Sequence, residues 1–169
     1  MSTTMWPTSA TSTRSPDVRI SAKADYAVRA AAELAARGDT GPVKGDQIAR
    51  AQSIPLKFLE NILVDMRQAG IVQSRRGPEG GYWLARPPAE VTVADIVRAV
   101  DGPLASVHDE KPEDVTYPGP AASLRDVWVA LRASMREVLE QATLADVIEG
   151  TLPEAVTRRT REPEAWARR

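Results

Sequence analysis

The stretch SRRGPEGGYW, residues 74–83, places two arginines at the start of a glycine-bearing turn and two aromatic residues at its end. Strand candidates flank this turn at about 71–74 and 82–85, so this part of the chain is predicted to form a β-hairpin. A short helix over about 44–51, a tight turn and a longer helix over about 55–69 come before it, which is a helix-turn-helix arrangement. A hairpin that directly follows such a motif is a wing, and the sequence therefore predicts a winged helix-turn-helix.

The composition indicates one domain, or one domain plus an extension, with a mainly aliphatic core. Of the 169 residues, 43% are hydrophobic but only 5% are aromatic. There is no apolar run long enough to cross a membrane, so we expect no membrane partner. The N-terminus lacks the apolar segment of a secretory signal, and the expected location is the cytoplasm.

The chain has no cysteine and a single histidine, His108. Disulfides, thiolate chemistry, and iron–sulfur or zinc sites ligated by cysteine are therefore excluded for this chain, and so is a histidine-rich metal site. The sequence also lacks a nucleophile–base set and a phosphate-binding P-loop. We expect no enzyme activity, no catalytic residues, no metal and no cofactor.

The charge is distributed unevenly along the chain. From Arg19 to Arg86 there are eleven Lys and Arg against seven Asp and Glu, whereas from Pro87 to Leu152 there are five against twelve. A basic first half suits contact with a polyanion, while the acidic second half indicates a different task.

The element pattern predicts a fold that is mainly α with a small β-hairpin wing, together with a long C-terminal dimerisation helix. Further helices are predicted over about 22–37, capped by Ser21, over 93–100, capped by Thr92, over 124–142 and over 144–149. The predicted regions are a disordered tail at 1–18, the DNA-binding winged helix-turn-helix at 19–86, a linker with effector loop and dimerisation helix at 87–150, and a frayed tail at 151–169.

The helix over 55–69 has the pattern of a recognition helix. Its apolar stripe faces inward at Leu59, Ile62, Leu63 and Met66. The outward set contains Lys57, Glu60, Asn61 and Gln68, of which lysine can read guanine, asparagine adenine and glutamate cytosine. Ser53 is a candidate cap that suits a phosphate, and Pro55 sits in the first turn. On this helix alone, an ordinary solvated polar face is the alternative.

The wing strengthens the DNA-binding interpretation. Adjacent residues on a strand point to opposite faces, so we expect one of Arg75 and Arg76 to reach DNA and the other to stay on the body of the domain. Arg76, nearer the tip, is the predicted contact, and we include Gly77 and Pro78 because the turn lets the backbone approach a groove closely. A plain exposed hairpin is the alternative.

The long helix carries an apolar seam with spacings of 4, 3, 4, 3 and 4. This is a coiled-coil-like pattern, and it predicts a homodimer because a small domain cannot easily cover such a stripe by itself. Packing inside one chain is the alternative. The seam consists of Leu124, Trp128, Leu131, Met135, Val138 and Ala142.

Between these helices, residues 104–123 form a long loop with an acidic patch, HDEKPED. Its carboxylates suit Ca²⁺ or Mg²⁺, but their spacing matches no known binding loop. We therefore interpret the patch as a solvated acidic loop.

Several segments together resemble the Rrf2 family of bacterial transcription regulators, from about Arg19 to Gly150. They are ISAKADYAVRAAAELA, IARAQSIPLKFLENILVDMRQAGIVQSRRGPEGGYWLARPPAEVTVADIVRAVDGP and VWVALRASMREVLEQATLADV. The resemblance implies a homodimer that binds near-palindromic promoter DNA. It implies that Ser21, Lys23 and Tyr26 contact the DNA backbone, that Pro55–Asn61, including Phe58, enters the major groove, and that Arg76 makes the wing contact.

The chain departs from the family at one point. Many members carry three cysteines between the DGP turn and the long helix, where they hold an iron–sulfur cluster, and this chain has none. The expected function is a sequence-specific dimeric transcriptional regulator, most often a repressor, that responds to a small molecule or partner protein, with sulfur or cysteine metabolism as one possibility. The alternative is a winged-helix protein-interaction module without operator binding.

Overall fold

The computed structural model of the protein describes residues 20–167. In that part, seven helices and one two-stranded antiparallel sheet follow each other along the chain. They are α1 Ala22–Arg37, α2 Gly45–Gln52, α3 Leu56–Gln68, β1 Val72–Arg75, β2 Gly81–Leu84, α4 Val93–Asp101, α5 Leu124–Leu139, α6 Leu144–Glu149 and α7 Glu154–Thr160. The mainly helical fold with a hairpin wing is confirmed.

The core is aliphatic and rich in alanine, as the composition predicts. Helix α1 lies against α3 and α4, and its inward positions are alanines that allow close approach of the neighbouring backbones. Ser21 caps α1 by accepting a hydrogen bond from the Ala24 amide at 2.8 Å. The largest fully buried side chains include Ile48, Leu59, Ile62, Leu63, Met66, Ile71, Ile96 and Leu144.

The hairpin pairs Val72 with Leu84 and Arg75 with Gly81. It is anchored to the helical body by a further bridge, in which Val43 and Tyr82 exchange two backbone hydrogen bonds of 2.9 and 2.8 Å. The wing is therefore part of the folded domain, continuous with the turn before α2.

The prediction that Ser53 caps the recognition helix is wrong. Ser53 instead ends α2 in the left-handed conformation, with φ 52° and ψ 46°. Pro55 is the residue before α3 and makes no side-chain capping bond. The sharp turn between α2 and α3 requires this left-handed residue, and it is closed by the Ile54 amide donating to the Ala49 carbonyl at 2.9 Å.

Helix α5 ends at Leu139, three residues before the predicted end at Ala142. The chain turns there because the Val93 amide donates to the Ala142 carbonyl at 2.8 Å, and the Leu144 amide donates to the Val91 carbonyl at 2.9 Å. Ala142 is buried inside the single chain. Its assignment to the dimerisation seam is therefore wrong.

The C-terminal segment is ordered where a frayed tail was expected. Helix α7 packs against α5 through Glu137, whose carboxylate pairs with Arg158 at 3.2 Å and Arg159 at 2.7 Å. The Trp166 indole then donates to the Thr160 carbonyl at 2.7 Å. The predicted disordered tail at 1–18 lies outside the described residues.

The acidic loop also packs more closely than a solvated loop would. Leu104 and Pro112 are buried, and Glu113 forms an ion pair with Arg132 of α5. The guanidinium of Arg132 holds the pKa of Glu113 below its ordinary value. Beside this pair the Trp128 indole donates to the Tyr117 hydroxyl at 3.0 Å. The loop is therefore a cover along part of α5.

Within residues 20–167, no helix is both long and apolar enough to cross a membrane.

Candidate nucleic-acid interface

The recognition helix α3 is held by a fully buried inner stripe. Leu59, Ile62, Leu63 and Met66 are each at most 1% exposed. At helical spacing, the opposite face contains Lys57, Asn61 and Gln68, which are all exposed. The division into an inward apolar stripe and an outward polar face is as the sequence predicts.

The outward polar side chains of α3 are not used by the protein itself. Within residues 20–167, Lys57, Glu60 and Asn61 have no hydrogen-bond or ion-pair partner. A polar side chain that makes no bond to its own protein retains all its donors and acceptors for an external partner. These three residues therefore offer a positive charge, an acceptor carboxylate and an amide on successive parts of one surface.

Helix α1 borders this face on one side. Lys23 forms a 2.7 Å ion pair with Asp65 of α3, so the predicted backbone contact at Lys23 is fixed beside the recognition helix. The Ser21 hydroxyl both caps α1 and donates to the Asp101 carboxylate. Tyr26 lies under the Arg29 guanidinium, which is 5.5 Å from the ring centroid.

The wing borders the other side of α3. Arg67 of α3 donates to the Ser74 hydroxyl of β1 at 3.3 Å, and Lys44, just before α2, donates to the Gly77 carbonyl in the wing turn at 2.9 Å. These two links tie the hairpin to the helix-turn-helix at its root and at its tip. The wing is thus held in a defined position beside the recognition helix.

The two wing arginines have different surroundings. Arg75 donates to the Glu79 carbonyl across the turn at 3.0 Å. Arg76 is exposed, and it alone among the arginines of residues 20–167 has no hydrogen-bond or ion-pair partner there. The geometry agrees with Arg76 as the outward cation and Arg75 as the one retained by the domain.

Gly77, Pro78 and the glycines after them form a compact turn. The Gly80 amide donates to the Gly77 carbonyl at 3.0 Å, and Gly77 and Pro78 are exposed at the tip. A Cβ on Gly81 would lie 2.6 Å from the Val43 carbonyl oxygen, and its φ of +152° disfavours other residues. Glycine is therefore required where the hairpin meets the helical body.

The junction of α1 and α2 is fixed by contacts that periodicity could not reveal. Arg29 donates to the Gln52 carbonyl, and the Gln52 amide donates to Glu33 at 2.9 Å. The hydrogen bond from Gln52 and the charge of Arg37 hold the pKa of Glu33 below its ordinary value. Sequence reasoning missed Glu33, Gln52, Lys44, Asp65 and Arg67 as positioning residues, because their partners lie on other elements.

Helix α5 has an apolar side that its own chain covers incompletely. None of its residues is fully buried. Met135 reaches the core from one side, while the other predicted seam residues on the helix remain partly exposed. These are Leu124, Trp128, Leu131 and Val138.

The residues present do not fit a thiolate-held iron centre, because the chain has no cysteine. In the described part of the chain, no three His, Asp or Glu side chains come together as a metal site. In the acidic loop, His108 and Asp109 occupy a turn with positive φ, and Glu113 is paired with Arg132.

Comparison with known proteins agrees with this arrangement. A Mycobacterium tuberculosis protein named as an HTH-type transcriptional regulator is 55% identical over 82% of this chain and 86% of its own length. The regulator CymR of Bacillus subtilis is 33% identical over 79% of this chain and 92% of its own length.

Solved structures show the same fold. The structure of B. subtilis CymR has a TM-score of 0.63 at 32% identity, covering 78% of this chain and 97% of that one. That of IscR from T. potens has a TM-score of 0.64 at 33% identity, covering 82% and 90%. The family described as "Iron-dependent Transcriptional regulator" matches residues 20–150. This chain is a DNA-binding transcriptional regulator, and it belongs to the Rrf2 family.

Proposed function

We propose that the protein is a homodimeric repressor that binds a near-palindromic operator. Each subunit inserts the start of α3, from Pro55 to Asn61, into the major groove. Arg76 and the adjoining Gly77 and Pro78 lie against the neighbouring backbone or minor groove, and Ser21, Lys23 and Tyr26 approach the backbone from α1.

The observation that carries this proposal is the set of polar side chains left without partners. Lys57, Asn61 and Arg76 are exposed and unbonded within residues 20–167, although neighbouring cations such as Lys23 and Arg75 are paired. Side chains that only solvate a surface have no reason to collect on a recognition helix and a wing tip. Lysine and arginine there suit phosphates and guanine edges, while asparagine suits adenine.

The dimer is supported by α5. This helix has an apolar side without a single fully buried residue, and a second copy of the same helix can cover it through two-fold symmetry. Two-fold symmetry would place two recognition helices on half-sites separated by whole turns, about 34–36 Å each. Dimerisation thus supplies both the missing cover and the match to a palindrome.

The signal is proposed to be other than an iron–sulfur cluster. The chain has no cysteine to hold one, and the described carboxylates do not gather into an alternative metal site. The similarity to CymR, whose structure is titled the global cysteine regulator of B. subtilis, makes sulfur metabolism the first class to test. The protein would act in the cytoplasm by binding, without catalysis.

The decisive experiment is selection of bound duplexes from a random pool with the full-length protein, followed by titration at several salt concentrations. Recovery of an inverted repeat is expected, with a logarithmic salt slope of about −0.9 for each phosphate contact. A protein that enriches no duplex at low salt, yet associates with another protein in a salt-insensitive way, would instead be an interaction module.

A further inference from the structure

Phe58 is an aromatic side chain that the fold leaves outside. It is 60% exposed, although it is the only phenylalanine of the sequence and lies in the first turn of α3. An isolated exposed apolar residue is ordinary on a protein surface. Here, however, its neighbours on the helix are the unpartnered Lys57 and Asn61, so the ring stands within the proposed base-reading surface.

The surroundings of Phe58 form a small recess that opens on this surface. The recess has a volume of about 430 Å³ and is lined by Lys23, Phe58, Asn61, Ile62, Val64 and Asp65. The 2.7 Å ion pair between Lys23 and Asp65 bounds it on the α1 side. Asn61 follows Phe58 by three positions, so the ring and the amide lie next to each other on the helix.

We propose that Phe58 reads the 5-methyl group of a thymine in the major groove, next to the base that Asn61 contacts. This rests on the proposed operator binding and adds a base preference to it. The thymine methyl is the one apolar group that the base pairs offer in the major groove, and phenylalanine is a side chain suited to it. Burying the ring against this methyl removes apolar surface of both from water.

The chemistry of the surface favours DNA over the other possible occupants. Lys57 and Glu60 flank the ring, and the Lys23–Asp65 pair stands behind it, so a second protein chain would have to bury several charged groups around one phenyl ring. A second copy of this chain already has a larger apolar surface available on α5. A duplex, by contrast, offers phosphates for the cations and a methyl for the ring.

The test replaces thymines of the selected operator by uracil, one position at a time, which removes only the methyl group. One symmetry-related position is expected to weaken binding by the wild-type protein about fourfold per half-site, the value of one buried methyl-sized group. Substitutions outside the protected region serve as controls for altered duplex stiffness.

The same duplexes are then titrated with Phe58→Ala, Phe58→Leu and Val64→Ala. Phe58→Ala should bind thymine and uracil operators equally, whereas Phe58→Leu, which keeps an apolar contact, should retain part of the difference. Val64→Ala, which removes another exposed apolar side chain of α3, should leave the full difference in place.

The outcomes separate this inference from the proposed function. Specific binding that is indifferent to uracil at every position overturns the role of Phe58, while the regulator function stands. A methyl effect that disappears with Val64→Ala, or a Phe58→Ala protein that loses its dimer, also overturns it. Failure to select any operator would refute the proposed function itself.

Discussion

Arg75 and Arg76 are neighbours in sequence, yet the hairpin gives them different tasks. The first closes the wing turn through the Glu79 carbonyl, and the second extends from the tip without a partner in residues 20–167. A substitution at Arg75 should therefore act through the shape of the wing, whereas one at Arg76 should act through the lost charge.

We expect Arg76→Ala to weaken operator binding by about tenfold, or ~1.4 kcal/mol, without changing the melting temperature. It should also reduce the salt slope by about 0.9, because one phosphate contact is lost. A gel-shift titration at three salt concentrations measures both quantities. Arg50→Ala, on exposed α2 and paired only with Asp46, is the control, and an affinity for Arg76→Ala equal to that control would exclude the wing contact.

Gly81 is the residue at which the wing joins the body. A Gly81→Ala side chain would meet the Val43 carbonyl at a positive φ, and such strain costs about 2 kcal/mol. Thermal unfolding should show a clear drop in melting temperature. Gly38→Ala is the matched control, because Gly38 also has positive φ but no atom within 4 Å of a new Cβ. Equal losses in the two variants would show that crowding against Val43 is unimportant.

At this scale, the sequence reveals chemical types better than partners. Helix spacing was enough to separate the buried Leu59 from the exposed Lys57. It could not show that Lys44 holds the Gly77 carbonyl, a contact between residues 33 apart in sequence. Nor could it place Ser53 in a left-handed turn, because a non-glycine residue seldom adopts that conformation and a capping role was the simpler interpretation.

Among the elements, α5 and α7 show how tertiary contacts set the ends of helices. Glu140 and Gln141 are good helix formers, so propensity alone extended the predicted helix to Ala142. The backbone bond from Val93 to Ala142 ends it earlier. Helix α7 was likewise missed because its Arg- and Pro-rich sequence is short, and its order comes from Glu137 on α5.

The docking of α7 should depend on pH through Glu137. Its hydrogen bond with Arg159 holds the pKa of this carboxylate below the ordinary value. A folded-state pKa below the unfolded one means that the stabilisation is complete at neutral pH and is lost as the pH falls through the folded value. Amide protection factors in α7 should therefore decline in acid before those of α1.

Glu137→Gln removes the charge and should lower the protection of α7 at neutral pH, while abolishing its extra sensitivity to acid. Because the pair is exposed, the change in global stability should be small. Glu149→Gln, an exposed glutamate of α6, is the control. Unchanged α7 protection in the Glu137 variant would show that the ion pairs do not hold this helix.

The whole molecule depends on how its two halves combine. The basic first half contains the reading surface, and the acidic second half contains α5 and the loop that partly covers it. Because the loop binds Arg132 and Trp128 on α5, a signal that moved the loop would alter the helix that is proposed to join two subunits. Such an arrangement would couple an input to the spacing of the two recognition helices.

Leu131→Asp tests the dimer at the centre of the seam. A carboxylate there would have to be buried against the partner helix without a counter-charge, so we expect the dimer to dissociate at micromolar concentration. Sedimentation should show the mass of one chain, and affinity for a full palindrome should fall towards that for a single half-site. Ala133→Asp places the same charge on the exposed opposite side of α5 and should sediment as the wild type does. Because Leu131 is only partly buried in the single chain, the helical circular dichroism of the Leu131 variant should persist. A folded Leu131→Asp protein that still sediments as a dimer would place the subunit contact elsewhere and remove the geometric reason for a palindromic operator.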